Sequence, residues 1–477
     1  MTSRIFFTPG FYRFIIKRSN IHALRRAMTL LVLIYCPLAY AGAETLSAII
    51  NSYEKNAVTI GVAVHAVDDK KEIFAHNAHE ALNPASTMKV LTSAVALTHL
   101  GGSYQYETVL STDRFSQGVL QNLYLKGSGD PSLVEERLWR IAKDLKVRGV
   151  NKINGSIIID NSYFDSFEFA GKEADSTRAY NASLSALAVN FNSFAVVATN
   201  DGAGNLEVHI DPPTPHLNLV SKIRPSGNAV TIARSYNGGV EFVTATGGVS
   251  TETIKYANSS DPVQYAGTTF KWVLNQLGIE FNGKIKSGSA AGNKRVFVDQ
   301  SKPLSLILRD LNKFSNNFTA EMILKTIGAK KSGVPGSTAK GVAVMKNFLS
   351  GAGVDSDEYA IFNGSGLSKN NRISPHALDQ VLVSVYSDNR IRADFIASLA
   401  IAGTDGTLRS RLESPGLHGN VKAKTGTLSD VTSLSGFIET ASRQMLAFTI
   451  MVNGPGAGSG GFHAMQEKLL IDIYKSF

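Results

Sequence analysis

Apolar positions in this chain change their period several times. Residues 58–67 (VTIGVAVHAV) are mostly apolar and rich in valine, which predicts a strand. Asp68-Asp69-Lys70-Lys71 reads as a turn and residues 72–76 (EIFAH) as a returning strand. Residues 86–100 (STMKVLTSAVALTHL) are apolar on nearly every face of a helix, so that helix should be buried. Asn83 is a good N-cap for it, Pro84 a good first residue, and Gly101-Gly102 a stop. From residue 103 to about 295 the pattern differs. Short β-like runs (YETVLS, VLQNLYLKG, GSIIID, FAVVAT, LEVHI, NAVTIARS, VEFVTAT) are split by Gly, Asn, Asp and Ser. They predict small β-rich modules, with one amphipathic helix over 265–277. The helical period returns from Leu304 in LSLILRDLNK and FTAEMILKTIGAKK. KAKTGT, SLSGFIET and QMLAFTIMVN then read as strands, and residues 471–477 as a short amphipathic segment. An early hairpin and a late antiparallel set predict an α+β unit closed from both ends of the chain.

Composition adds an export signal and removes several function classes. The chain has 477 residues, 43% hydrophobic and 18% charged, which suits several folded cores rather than disorder. Residues 1–27 carry Arg4, Arg13, Lys17, Arg18, Arg25 and Arg26 and no acid. Met28 to Leu38 is apolar but short for a membrane span. Ala39-Tyr40-Ala41 and Ala41-Gly42-Ala43 both fit an A-x-A cleavage site, so residues 1–43 are expected to be a secretory signal cut after Ala41 or Ala43. Its removal takes the net charge from +9 to +3, which leaves no basic stripe for nucleic acid. The single cysteine, Cys36, departs with the signal; Tyr35 before it does not suit a lipoprotein site. Disulfides and thiol catalysis are thereby excluded from the mature chain. No other apolar run is long enough to anchor it in a membrane.

Three motifs then occur in order: Ser86-Thr87-Met88-Lys89, Ser315-Asn316-Asn317 and Lys424-Thr425-Gly426. They spell S-x-x-K, S-x-N and K-T-G, the set of a serine acyl-transfer site in penicillin-recognising enzymes. On a helix, i and i+3 share a face, so the Lys89 amine can reach the Ser86 hydroxyl. A serine needs a base, and a lysine serves only when neutral, which burial and a nearby cation both favour. The letters recur elsewhere. S-x-x-K also appears at Ser52 to Lys55 and Ser337 to Lys340, S-x-N at Ser387 to Asn389, and K-S-G at Lys286 and Lys331. Context selects among them. Only Ser86 has an Asn-Pro start and an apolar helix behind it; Ser315 falls in a break between helical segments; Lys424 and Gly426 share one face of a strand. A glycine at 426 lets a substrate backbone lie close. The gap over residues 90–314 exceeds what a bare catalytic unit needs, so a large insertion is expected.

Longer stretches carry a resemblance. They are N-P-A-S-T-M-K-V-L-T-S-A from Asn83, L-K-G-S-G-D-P-S-L from Leu125, I-I-I-D-N-S-Y-F from Ile157 and L-R-D-L-N-K-F-S-N-N-F-T-A-E from Leu308. N-G-S-G-L-S-K-N-N-R-I-S-P from Asn363, A-G-T-D-G-T-L from Ala402 and K-A-K-T-G-T-L from Lys422 complete the set. With these the chain resembles the D-alanyl-D-alanine carboxypeptidase/endopeptidase family of low-molecular-mass class C penicillin-binding proteins, the penicillin-binding protein 4 type. The resemblance implies an α+β penicillin-recognising serine transpeptidase-like domain, an antiparallel sheet flanked by helices, with inserted β-rich domains. It implies a catalytic domain of 44–105 and 296–477, an inserted domain of 106–185 and 266–295, and a second of 186–265. It also implies a periplasmic enzyme that cleaves peptidoglycan stem peptides, is acylated by β-lactams, and uses no cofactor or metal.

By the same resemblance Ser86 is the nucleophile, Lys89 its base, and Ser315 the proton relay to the leaving group. Asn317 binds the substrate amide, Lys424 supplies positive charge, and Thr425 and Thr427 hold the terminal carboxylate. The Ser86 and Thr427 N–H groups form the oxyanion hole. Asp160 matches an acid that meets the amine end of a diaminopimelate side chain; as a bare sequence feature it is a strand-end turn residue. The chain departs from the family's usual Asp at Asn316 and Asn363 and its usual Arg at Lys369. Two other readings remain: a serine β-lactamase, which lacks support from any added general-base motif, and a non-catalytic wall-binding protein, which the intact motifs disfavour.

Overall fold

The computed structural model describes residues 44–477 except 55–56, 174–175 and 238–239. The expected signal peptide and Cys36 lie outside the described residues. Both ends of the chain meet in one six-stranded antiparallel sheet. Its order is Glu72–His76, Thr59–Ala66, Met445–Asn453, Val431–Glu439, Lys422–Leu428 and Ala400–Ile401. The early hairpin joins the late strands where Thr59–Ala66 pairs with Met445–Asn453, Val62 opposite Ile450. The two outermost strands are short, which limits the exposed pairing edge.

Alternation sorts the two faces of the central strands. Phe437, Ala447 and Met451 face the buried helix Met88–Leu100 and its neighbours. Leu434, Ile438, Phe448 and Ile450 face a helix over residues 44–53 and the C-terminal helix His463–Ser476. Covered on both faces, Val431–Glu439 is buried along almost its whole length, so its serines are buried too. They find partners inside: Ser433 Oγ donates to the Pro84 carbonyl (2.6 Å), and Ser435 Oγ lies 2.9 Å from Thr449 Oγ1.

The segment between the first two motifs is β-rich, as its composition suggests. It holds a five-stranded sheet, a four-stranded sheet and two three-stranded sheets, with the helix Pro262–Gln276 close to the expected span. It also holds a helix that the β-like runs around it obscured, Glu135–Val147. The signal was present: Leu138, Ile141, Ala142 and Leu145 are buried at helical spacing. One continuous cluster of buried residues runs from Leu110 to Phe297 through the whole insert. The strand Lys294–Gln300 pairs with Glu107–Thr112, so it straddles the expected boundary at 295/296.

The insert leans on the helix Asn317–Ser332, which carries the second motif at its start. Phe164, Phe169 and Leu184 pack with Phe318 and Met322. The buried Lys325 amine donates to Asp165 Oδ1 (2.9 Å) and to the Ser166 carbonyl (2.7 Å). No helix among the described residues is long and apolar enough to cross a membrane.

Candidate active site

The sequence predicts a helix from residue 86, but the α-helix starts two residues later and Ser86 stands ahead of it. A 3-10 turn, Ala85–Thr87, precedes the α-helix Met88–Leu100. Asn83 is diverted from simple capping. Its Oδ1 accepts from the Ala85 N–H (2.9 Å), its Nδ2 donates to the Lys369 carbonyl (3.1 Å), and its own N–H donates to Asn453 Oδ1 (2.7 Å). Ala85 takes a left-handed φ of +46°, an unfavourable backbone for alanine that only surrounding contacts can hold. One such contact is Gly366, also left-handed, where a Cβ would lie 1.7 Å from the Ala85 carbonyl oxygen. The loop around Gly366 therefore presses directly on the turn that carries Ser86.

Lys89 is fully buried in the next turn of chain. Its Nζ lies 2.9 Å from Ser86 Oγ, 2.8 Å from Asn317 Oδ1 and 2.6 Å from the Ser365 carbonyl. Burial holds this amine well below its ordinary range; the nearby Lys424 pushes the same way and Glu321 opposes them. Glu321 lies one helical turn after Asn317 and is also buried. It accepts the Ser365 N–H (2.7 Å) and the Gly364 N–H (3.4 Å), and burial pushes its carboxyl up. Glu321 thus anchors the loop whose Ser365 carbonyl touches the lysine.

Ser315 ends the helix Leu304–Phe314 in a left-handed conformation, φ +57°. Asn316 then caps Asn317–Ser332, its Oδ1 accepting the Thr319 N–H (2.9 Å). Asn and Asp cap helices about equally well, so Asn316 keeps the structural task of the Asp that is usual there. Lys424 Nζ donates to Ser315 Oγ (2.9 Å) and to the Thr425 carbonyl (2.7 Å); burial brings its amine down to about 7. Thr425 Oγ1 donates to Thr407 Oγ1 (2.8 Å), while Thr427 is exposed at the outer end of the strand. A Cβ on Gly426 would lie 2.2 Å from Ser433 Oγ, 2.7 Å from the Pro84 carbonyl oxygen and 3.0 Å from the Ser86 nitrogen. The absent side chain makes room for the turn that carries Ser86.

The structure therefore gathers Ser86, Lys89, Ser315, Asn317, Lys424, Thr425 and Gly426 from three distant stretches. The contacts of Asp160 are with residues of the insert. Asp160 is fully buried at the end of Ile157–Asp160; Oδ1 accepts the Ser162 N–H (2.9 Å) and Oδ2 the Ala290 N–H (2.8 Å). Both oxygens hold backbone, so the carboxylate closes a turn of the insert, and Lys126 Nζ stands 3.9 Å from Oδ2. The repeated letters also find ordinary roles. Ser52 Oγ donates to the Ile49 carbonyl, Ser337 caps a helix at the Lys340 N–H, and Ser387 Oγ donates back to the Val383 carbonyl.

Sequence reasoning gave no role to Glu321, Ser365, Ser433 or Thr407. It noted Asn363 only as a departure. Asn363 Nδ2 donates to the Ala170 carbonyl of the insert (2.7 Å), and its Oδ1 accepts from Gly366 N (3.1 Å) and Asn371 Nδ2 (2.7 Å). A carboxylate could not make the first of these bonds. Lys369 contributes its carbonyl to Asn83, while its side chain is exposed.

Comparison with known proteins gives the family and the fold. The profile of the D-Ala-D-Ala carboxypeptidase 3 (S13) family matches residues 43–469. A D-alanyl-D-alanine carboxypeptidase from Actinomadura sp. strain R39 is 29% identical over 436 residues, covering 86% of this chain and 80% of that protein. The D-alanyl-D-alanine carboxypeptidase DacB of Haemophilus influenzae is 29% identical over 429 residues, covering 84% and 86%. The crystal structure of penicillin binding protein 4 from Haemophilus influenzae superposes with a TM-score of 0.79 at 25% identity, covering 90% of this chain and 99% of that one. A second structure of that protein, complexed with a β-lactam, superposes with a TM-score of 0.74 at 24% identity, covering 90% and 99%.

Proposed function

The chain belongs to the D-Ala-D-Ala carboxypeptidase 3 (S13) family, and from that premise we propose that Ser86 is the acylated nucleophile of its serine DD-peptidase reaction and Lys89 the general base. The observation that carries this reading is the set of partners around Lys89. A neutral amine has two N–H donors and one lone pair. The Asn317 and Ser365 carbonyls, at 2.8 and 2.6 Å, accept the two donors. The lone pair is then left for the Ser86 hydroxyl at 2.9 Å. Burial and Lys424 favour that neutral state, so the base is ready before substrate arrives.

The steps follow from the positions. Ser86 Oγ bonds to the carbonyl carbon of the penultimate D-alanine of a peptidoglycan stem peptide, and its proton passes to Lys89. The Ser86 and Thr427 N–H groups receive the oxyanion. The C–N bond breaks, and Ser315, hydrogen-bonded to Lys424, relays the proton that Lys89 took from Ser86: it gives its own proton to the departing amine and receives that one in its place. Thr425 and Thr427 hold the carboxylate of the leaving residue. Water then releases the acyl group from Ser86. β-Lactams present a similar carbonyl and acylate the same oxygen. The basic and apolar stretch over residues 1–43 supports export to the periplasm, where the substrate lies. Separate sheets support a division of the insert into 106–185 with 266–295, and 186–265.

The test is covalent labelling of the purified mature protein by a tagged penicillin, beside release of D-alanine from a stem pentapeptide. Ser86→Ala should abolish both. Labelling of that variant at the wild-type rate would overturn the assignment.

A further inference from the structure

Three side chains from distant stretches converge outside the three motifs, and the reaction uses none of them. They are His79, just past the strand Glu72–His76, Glu358 in the turn Ser356–Glu358, and His376 in the first turn of the helix Pro375–Ser387. Each offers one ring nitrogen or carboxylate oxygen, and these atoms lie within 4.8 Å of one another. His79 Nδ1 stands 3.3 Å from Glu358 Oε1. His376 Nδ1 stands 3.2 Å from the same oxygen and 3.0 Å from Oε2. The two rings lie side by side, with centroids 4.3 Å apart.

These separations fit one shared ion. Zinc holds nitrogen and oxygen ligands at about 2.0–2.1 Å in a tetrahedron, whose ligand-to-ligand edge is then roughly 3.3–3.4 Å. The ligands are also held in place. Ser374 Oγ donates to Glu358 Oε2, which turns Oε1 toward the two rings. Burial works against charge on Glu358, but the bonds from Ser374 and His376 outweigh it and keep the carboxyl below its usual range. Backbone bonds fix the spacing beneath the side chains. The His376 N–H donates to the Ala78 carbonyl (2.8 Å), and Leu82 and Ile373 exchange N–H···O bonds of 3.2 and 2.8 Å. Glu358 is buried, with 6% of its side chain exposed, while His79 is 64% exposed. The histidine side therefore gives an ion its entry and a water its place as fourth ligand. His65, whose ring lies 6.0 Å from that of His376, is already engaged by Asp379 and Gln380.

We propose that His79, Glu358 and His376 form a binding site for a divalent ion of the zinc class, which the family resemblance does not imply. Two imidazoles and one carboxylate suit Zn²⁺, whereas Mg²⁺ and Ca²⁺ take oxygen ligands. Each imidazole would bind through Nδ1 in its neutral form, with the proton on Nε2. The role is a clamp. Residue 79 leads into Asn83 and the turn that carries Ser86. Between Glu358 and His376 runs the loop that sets the Ser365 carbonyl against Lys89 and Gly366 against Ala85. One ion fastens these two segments to each other.

The experiment is calorimetric titration of Zn²⁺ into the untagged mature protein after EDTA treatment and dialysis, with thermal unfolding alongside. Wild type should bind about one Zn²⁺ per chain with a Kd below roughly 10 μM, and excess Zn²⁺ should raise its Tm. Mg²⁺ should do neither. His79→Ala and Glu358→Gln should each weaken Zn²⁺ binding at least about tenfold and remove the rise in Tm. His79 is mostly exposed, so its variant keeps the fold and decides the matter even where Glu358→Gln unfolds. A wild-type Kd above about 100 μM, an equal response to Mg²⁺, or a His79→Ala variant that binds Zn²⁺ within about twofold of wild type overturns the inference.

Discussion

Replacing Gly426 by alanine tests how the third motif meets the first. The new methyl would stand 2.2 Å from Ser433 Oγ and 2.7 Å from the Pro84 carbonyl oxygen, where ordinary contact begins at 3.4 Å. The serine cannot simply turn away, because its hydroxyl donates to that same carbonyl at 2.6 Å and accepts from Thr87 Oγ1 at 3.3 Å. The carbonyl belongs to the backbone of the nucleophile turn. Strand and turn must therefore part by about 0.7 Å to restore contact at Pro84. Overpacking of this kind costs about 1–3 kcal/mol of stability. Misplacing a reacting group by close to 1 Å costs up to roughly a hundredfold in rate. Gly426→Ala should accordingly fold, yet acylate roughly 30- to 100-fold more slowly. The measurement is the second-order rate of labelling by a tagged penicillin, with urea unfolding in parallel. Adding Ser433→Gly removes the 2.2 Å contact but leaves the Pro84 carbonyl, so the rate should recover only in part. If Gly426→Ala alone acylates within about twofold of wild type, the close approach does not organise the site and the reasoning fails.

Three other outcomes follow from the same geometry. Glu321 pushes the Lys89 amine up against burial and Lys424, so Glu321→Gln should lower it further. The neutral base then appears at lower pH, and the acid limb of the acylation profile should move in that direction; an alkaline shift would contradict the coupling. Lys424 stands at about 7, so its positive charge is lost as pH rises through that value. The kcat/KM for a D-Ala-D-Ala peptide should decline on the alkaline side, and a pH–rate profile without that decline would count against the charge being used. Asn363→Asp forfeits donation to the Ala170 carbonyl and sets a carboxylate against it. Urea unfolding should show a loss of about 1–3 kcal/mol, and no loss would mean that the loop and the insert are not joined there.

Much of the fold was readable from neighbouring residues. The strand near residue 60 shows as a valine-rich apolar run and the helix after Ser86 as a run apolar on nearly every face, and turn residues mark their ends. The helix Glu135–Val147 carried a helical period and was masked only by the β-like runs around it. Local context also separated Ser86 from Ser52 and Ser337, because caps, apolar helices and turns are short-range features.

The chemistry of the site needed the tertiary structure. Asn83 looked like a helix cap, and its oxygen does accept the Ala85 N–H, but its amide also donates to the Lys369 carbonyl, 286 positions away. Asp160 reads locally as a strand-end turn residue, yet one of its partners, the Ala290 N–H, comes from 130 positions away. Burial holds the Lys89 amine well below its ordinary range, and its partners Asn317 and Ser365 come from 228 and 276 positions on. By itself the sequence determined which segments coil, which extend, and which residue types are present in order. Tertiary structure decided which polar groups lose their water and which atoms meet. Propensity and periodicity act over a few residues, whereas desolvation and close approach depend on every segment packed around the group.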